Sequence, residues 1–330
     1  MAFSNNTNSD ANQPLSGSGV DRRENPTFTR FTRKNLWVNL ALVLAYLSWA
    51  MVMGPIRDDQ FFLTGFYLLL FYGNEKTRKF IIGFSIFIVY WIIYDSMRIL
   101  PNYEVSPVRI QEPYLLEKNL FGISINDLVY TPNEYFDLIQ TRFLDIVSGL
   151  FYLNWVPVPL AFGVYLYYKN KQLFTQYSLV FLFTNLLGFV IYYIYPAAPP
   201  WYIDLYGFDL HLGVQGDSAA LARFDELTGM PVFASLYNKN ANVLAAIPSL
   251  HAAYPVIVIY YGIRNKLGWV NALFVLFMLG IWFSAVYSGH HYIIDVLLGA
   301  IVAVITIGLF NLLMRCKWAG RWMEWFVKMI

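Results

Sequence analysis

The chain has 330 residues, of which 58% are hydrophobic, 19% aromatic and only 13% charged, and its net charge is +2. Soluble domains carry about 25% charged residues, so this balance excludes a water-soluble enzyme, a disordered chain, and a nucleic-acid binder, whose basic residues would be massed rather than scattered. A single cysteine, Cys316, excludes an internal disulfide framework and a cysteine-based zinc site.

What remains is a polytopic membrane protein. Residues 1–34 are rich in Ser, Asn and Gly and end in Arg30, Arg33 and Lys34, a polar tail expected to be disordered. Apolar runs follow at 36–53, 61–72, 80–97, 143–168, 173–195, 243–262, 267–287 and 292–314. The first is too long and too far from the N-terminus for a cleaved signal peptide. The second is short enough for a partly re-entrant segment. A bilayer core needs about 20 apolar residues per helix, and runs of this length without period-two alternation exclude a barrel. The expectation is an all-α protein of about eight transmembrane helices.

Two long polar stretches, 98–142 and 196–242, are rich in Pro, Asn, Asp and Tyr and read as loops or interfacial segments. Residues 317–330 alternate Trp and Phe with Lys and Arg, the pattern of a short helix lying in the membrane interface. The chain thus divides into a cytoplasmic tail (1–34), N-terminal transmembrane helices with an outer loop (35–130), a catalytic transmembrane core (131–315) and an interfacial amphipathic tail (316–330). Most Lys and Arg residues fall on the side of the N-terminus. The other side holds Arg57, Arg98, Arg109, Lys118, Arg142, Arg223 and Lys239. The positive-inside bias therefore predicts N-in, C-in topology, with both long loops extracytoplasmic.

Three of the four histidines fall at the outer ends of late helices. His251 follows Pro248-Ser249-Leu250 near the start of the sixth span, and His290 and His291 lie between the seventh and the eighth. Asp295 comes four residues after His291, which places both on one face of a helix. An Asp inside an apolar helix costs several kcal/mol unless it is paired, so it asks for a partner. By spacing that partner is His291, and the carboxylate would take one ring N–H and leave the other nitrogen as a nucleophile. Three His and an Asp are also zinc-type ligands. No His-x-His or His-x-x-x-His pair comes from one element, however, so no metal is assigned. His211, in a polar loop, reads as structural. Only one of His290 and His291 can face the Asp.

The spacing of Pro248-Ser249-x-His251 and His291-x-x-x-Asp295 resembles the type 2 phosphatidic acid phosphatase superfamily. It resembles most closely the branch of the fungal inositol phosphorylceramide synthase catalytic subunit. The other matching stretches are Tyr195-Pro196-Ala197-Ala198-Pro199-Pro200-Trp201-Tyr202, Leu221-Ala222-Arg223-Phe224-Asp225 and Tyr287-x-x-His290-His291-Tyr292-x-x-Asp295, with a weaker echo at Phe143-Leu144-Asp145-Ile146. Together they cover roughly 140–300.

The resemblance implies a six-helix catalytic core and, without a cofactor, a membrane lipid phosphotransferase. His291, oriented by Asp295, would take inositol phosphate from phosphatidylinositol as a phosphohistidine. His251, as acid and then base, would pass it to the primary hydroxyl of ceramide. The superfamily's phosphate-clamping Lys and Arg-Pro have no counterpart here, and Ala285 stands where an Arg usually follows Ser284. A phosphodiester, with one negative charge, suits such a site. Arg223 and Lys239 are expected to replace the clamp, with Ser249, His290 and Tyr287 as further substrate contacts. The proline-stiffened segment Pro199, Pro200, Trp201 and Tyr202 is expected at the rim of the lipid entrance. The alternative within the same fold is a lipid phosphate phosphatase with water as acceptor. A transporter or a subunit without chemistry would have no physical reason to bury Asp295. Any small regulatory subunit stays open.

Overall fold

The computed structural model describes residues 30–238 and 242–330, so residues 1–29 of the polar tail, and Lys239, lie outside the described residues. Three helices come first: α1 (Arg33–Met53), α2 (Asp58–Gly73) and α3 (Glu75–Ser96). An outer segment carries α4 (Gln111–Phe121), an antiparallel hairpin of β1 (Ile123–Ile125) and β2 (Leu128–Tyr130), and α5 (Pro132–Leu138). The chain then runs through α6 (Arg142–Tyr152), α7 (Pro157–Lys169) and α8 (Lys171–Ile194). A second outer segment holds α9 (Pro200–Tyr206), α10 (Ala222–Thr228) and α11 (Val232–Tyr237). The last helices are α12 (Leu250–Arg264), α13 (Val270–Tyr287), α14 (Ile293–Leu313) and α15 (Lys317–Met329).

Among the described residues, six elements are long and apolar enough to cross a membrane: α1, α3, the pair α6–α7, α8, α13 and α14. Helices α2 and α12, with 16 and 15 residues, are shorter, and they fill the places of the second and sixth apolar runs. The chain is an integral membrane protein of helical build.

Two runs differ from expectation. The run 143–168 is broken between α6 and α7 by a 3-10 turn, Leu153–Trp155, and α7 restarts with Pro157 in its first turn. Proline has no N–H to donate and fits where the helix needs none. The run 243–262 becomes helical only at Leu250, where Ser249 caps α12 through its side chain and the preceding Pro248 disfavours a helical start.

Helix α8 lies at the centre, packed by α3, α7, α12, α14 and α15. Its buried Phe174, Tyr177 and Phe181 meet Tyr254, Ile257 and Tyr261 of α12. Buried tyrosine hydroxyls need partners: Tyr177 donates to the Pro159 carbonyl at 2.8 Å and Tyr254 to Asn185 Oδ1 at 2.6 Å. Helices α2 and α3 are fastened by the buried Asp95, which accepts both of its 2.7 Å contacts from Arg57 Nη2 and a third hydrogen bond from Gln60. In α15, the stripe Ala319, Met323 and Phe326 is buried, while Trp318, Trp322 and Trp325, one position before each, are exposed.

Both long loops gather at the end of the bundle that holds the start of α12, the end of α13 and the start of α14. Ala197 bridges Arg109 on one side and Ala245 on the other in parallel pairs. The fully buried Asn102 donates to the carbonyls of Tyr192 and Leu244, at 3.0 and 2.6 Å.

Gly299 sets the approach of α14 to the start of α12. A Cβ there would lie 2.0 Å from the Ser249 carbonyl oxygen, and backbone cannot swing aside. Gly308, on the same helix, faces open space. Gly299→Ala is therefore expected to lower the thermal midpoint in detergent by an amount corresponding to about 1–3 kcal/mol or more. Gly308→Ala should leave it unchanged or slightly raised. Equal midpoints for the two variants would show that this approach is not tight.

Candidate active site

The site is built from helix ends. Helix α13 stops at Tyr287, and Gly289 turns the chain at φ +73°, a conformation glycine adopts freely. The N–H groups of His290 and His291 both donate to the Ala285 carbonyl, at 3.1 and 3.0 Å. Helix α14 begins only at Ile293, so His291 and Asp295 do not share a helix face as the four-residue spacing predicts. A capping turn brings them together instead. Asp295 Oδ2 accepts the Tyr292 N–H at 2.9 Å and stands 3.4 Å from His291 Nδ1, while Oδ1 is buried without a hydrogen-bond partner.

His251 enters from the first turn of α12. Its Nδ1 lies 3.2 Å from His291 Nε2 and 3.0 Å from the Tyr152 hydroxyl, and its ring rests against Trp155 with centroids 4.3 Å apart. The Ser249 N–H donates to the Asp295 carbonyl at 2.9 Å, locking the starts of α12 and α14 side by side. Two helix N-termini thus converge beside the histidine pair, a field that favours an anion. Burial holds the His291 imidazole down at about 4, against an ordinary 6.5, so it is neutral with a lone pair available at pH 7.

The other expected residues divide. Arg223, on α10, donates from Nε to Asp145 Oδ1 at 2.8 Å, and the Tyr287 hydroxyl donates to the same oxygen at 2.8 Å. Arg223 Nη2 is buried and has no partner, a cationic donor left available. Asp145, the weak echo in the sequence, is thus what holds Arg223 and Tyr287. The Ser249 hydroxyl accepts the Ala252 N–H at 3.4 Å as the cap of α12, which leaves its own proton to donate. His290 turns from the His251–His291 contact: its Nδ1 meets Ser288 Oγ at 3.0 Å, and its ring packs 4.3 Å from that of Tyr237. The His211 ring packs at a tilt against that of Tyr206 in the second outer segment, with centroids 5.0 Å apart.

The entrance expectation needs correction. Pro199, Pro200, Trp201 and Tyr202 are buried, with Trp201 and Tyr202 packed among Ile110, Ala198 and Leu244. The Trp201 N–H donates to the Gly289 carbonyl at 2.9 Å. An aromatic segment reads alike whether it anchors at an interface or fills a core, and here it packs the outer segments onto the histidine turn.

Three residues near the site escaped the sequence reading. Tyr152 looks like any residue of an apolar run. Asn133 donates to the carbonyls of Val286 and His291 at 2.7 and 2.9 Å, and Glu117 accepts from the first turn of α14. Both lie in a stretch whose composition reads as solvated loop. Among the described residues, no group of His, Cys, Asp and Glu is arranged to hold a metal ion.

The model of the PAP2 superfamily matches residues 136–309, which span every one of these groups except Glu117 and Asn133. The chain belongs to the PAP2 superfamily. A phosphoinositol dihydroceramide synthase of Bacteroides thetaiotaomicron is 47% identical over 275 residues, covering 83% of this chain and 90% of that protein. The inositol phosphorylceramide synthase catalytic subunit of Saccharomyces cerevisiae is 25% identical over 232 residues, 66% of this chain and 53% of its own length. The inositol phosphorylceramide synthase of Candida albicans is 25% identical over 224 residues, 65% and 45% respectively. The chain thus spans about half the length of these fungal relatives. No solved structure matches it. Within the superfamily, this chain sits with proteins named as inositol phosphorylceramide-type synthases, and it is an enzyme of the phosphotransferase class.

The neutral His291 has a consequence for stability. Its value falls from 6.5 when unfolded to about 4 when folded, so the unfolded chain binds more protons between those limits. The contribution is fully present above pH 6.5 and is lost as the pH falls toward 4, at up to about 1.4 kcal/mol per pH unit. His291→Gln should therefore show a shallower loss of thermal midpoint between pH 6.5 and 4.5 than the wild type. Parallel curves would mean that the imidazole titrates normally in the fold.

Proposed function

We propose that the protein moves inositol phosphate from phosphatidylinositol to the primary hydroxyl of a ceramide-type lipid through a phosphohistidine. The observation that carries the reaction is the contact of the half-buried His251 with the buried His291, Nδ1 to Nε2 at 3.2 Å, with Asp295 on the far side of the His291 ring. The substrates follow from the name of the Bacteroides relative and its extensive identity.

His291 Nε2 attacks phosphorus, and the bond to the diacylglycerol oxygen breaks as His251 gives that oxygen a proton. The ceramide hydroxyl then loses its proton to His251 and attacks the same phosphorus, breaking the P–N bond and releasing neutral His291. Asp295 holds Nδ1–H and balances the positive ring of the phosphohistidine. The substrate phosphate must part the two rings, and its negative charge attracts the proton that His251 carries as acid. Tyr152, already 3.0 Å from His251 Nδ1, keeps that ring oriented as the rings separate. Arg223 Nη2, the Ser249 hydroxyl and the helix N-termini are the donors for the phosphoryl oxygens. Lys239, Tyr287 and His290 complete the set of candidate head-group contacts.

Purified protein given phosphatidylinositol labelled in the head group should form labelled inositol phosphorylceramide in proportion to added ceramide, with free inositol phosphate a minor product. His291→Ala should abolish both products. Free inositol phosphate dominating at saturating ceramide would replace the synthase reading with that of a phosphatase.

The site opens on the extracytoplasmic side in this proposal, with the N-terminus and the interfacial α15 inside, following the Lys and Arg bias. A glycosylation acceptor placed at Asp209 should be modified in a eukaryotic host and one at Asn265 should not. The reverse pattern would put the histidines on the cytoplasmic face.

A further inference from the structure

Glu117 is fully buried on α4, in the outer segment that precedes the part of the chain matched by the superfamily. Its two carboxylate oxygens divide the first turn of α14 between them. One accepts the Ile293 N–H at 2.9 Å and the other the Ile294 N–H at 3.2 Å. These are the first two residues of the helix that carries Asp295 at its third position. Among the ion pairs of the described residues, none involves Glu117. A carboxylate taken out of water without a cation is costly, so a structural cap alone is a poor account of it. A neutral Ser or Asn would cap the helix at lower cost.

The neighbourhood of Asp295 supplies the reason. The opening N–H groups of a helix have no intrahelical partner and seek the nearest acceptor. Asp295 stands where a capping acid stands, and its Oδ2 already takes one such donor, from Tyr292. If the Ile293 and Ile294 donors were also unpartnered, they would compete with His291 for the same carboxylate. Glu117 removes them from the competition, and it fixes the axis on which Asp295 meets His291 Nδ1 at 3.4 Å.

Resting on the phosphohistidine reading above, we propose that Glu117 is a positioning residue for the nucleophile: by capping α14 from the outer segment, it reserves the Asp295 carboxylate for His291. It touches no substrate. Its influence passes through backbone to Asp295 and from there to the attacking ring, so it bears on the chemical step rather than on lipid binding.

The test uses the full chain in detergent or vesicles, with phosphatidylinositol and ceramide. Partners that orient a reactive group in this indirect way are typically worth about 10–100-fold. Glu117→Ala should lower kcat by that factor and leave KM for phosphatidylinositol within about twofold. Glu117→Gln, which keeps one accepting oxygen but turns an amide N–H toward the second donor, should recover only part of the loss. The rate at which labelled phosphate appears on the protein in a single turnover should fall with kcat. Glu117→Asp keeps the carboxyl group but is one methylene too short to reach both donors, and it serves if the alanine variant does not fold. It too should lose kcat at unchanged KM. Wild-type kcat in a folded Glu117→Ala or Glu117→Asp protein overturns the proposal, as does a rise in KM that accounts for the whole loss. Absence of product from the wild type overturns the functional reading instead, and this one with it.

Discussion

Helix ends govern this molecule. An α-helix leaves its first N–H groups and last carbonyls without internal partners, and such groups cannot be buried unsatisfied. All three residues of the proposed chemistry sit at such ends, with His291 and Asp295 buried and His251 half-buried. The carbonyls of Val286 and His291 are taken by Asn133, that of Gly289 by the Trp201 N–H and that of Ser288 by the Ala220 N–H. The N–H groups of Ile293 and Ile294 go to Glu117 and that of Tyr292 to Asp295. The two outer segments follow from this need. They are long because they must carry side chains and backbone to the same turn from several directions.

Burial also shapes the chemistry. In the proposed mechanism a neutral imidazole attacks phosphorus, and burial keeps that imidazole neutral. A phosphohistidine does not distinguish water from a lipid hydroxyl, so transfer depends on which oxygen reaches it first. Water is present at about 55 M, whereas well-oriented groups reach effective molarities of about 10⁵–10⁸ M. A site closed above by loops packed through Trp201 and Tyr202, and set among membrane helices, favours the acceptor held in place.

Hydropathy was enough to locate the helices, since the bilayer imposes one length scale on every crossing. Their breaks at Pro157 and Pro248 were written in the residues as well, but a run of apolar composition conceals them. The spacing of His251, His291 and Asp295 pointed to a single cluster, though the reason offered for it, a shared helix face, differs from the capping turn that is present. Glu117 and Asn133 were illegible for a physical reason. Their polarity matches that of exposed loop residues, and only contacts with residues 176 and 158 positions away make them interior groups. Trp201 and Tyr202 misled in the opposite direction, because an aromatic pair carries no local mark of which surface it will cover. Asp145 was visible as a carboxylate near an apolar helix, yet its pairing with Arg223 spans 78 positions.

The same separations bear on how the molecule comes together. Glu117 and Asn133 leave the ribosome well before their partners at Ile293 and His291, with α6–α7, α8, α12 and α13 made in between. Until then the outer segment holds polar groups whose final acceptors and donors do not yet exist, and closing so long a loop carries an entropic cost that local contacts do not repay. Helices can enter the bilayer one after another while this segment waits, hydrated, at the surface. Its dehydration belongs to the last stage of assembly, when α14 arrives. The reactive centre is therefore among the youngest parts of the folded chain, and a molecule arrested before that stage presents a nearly complete set of helices with no working site between them.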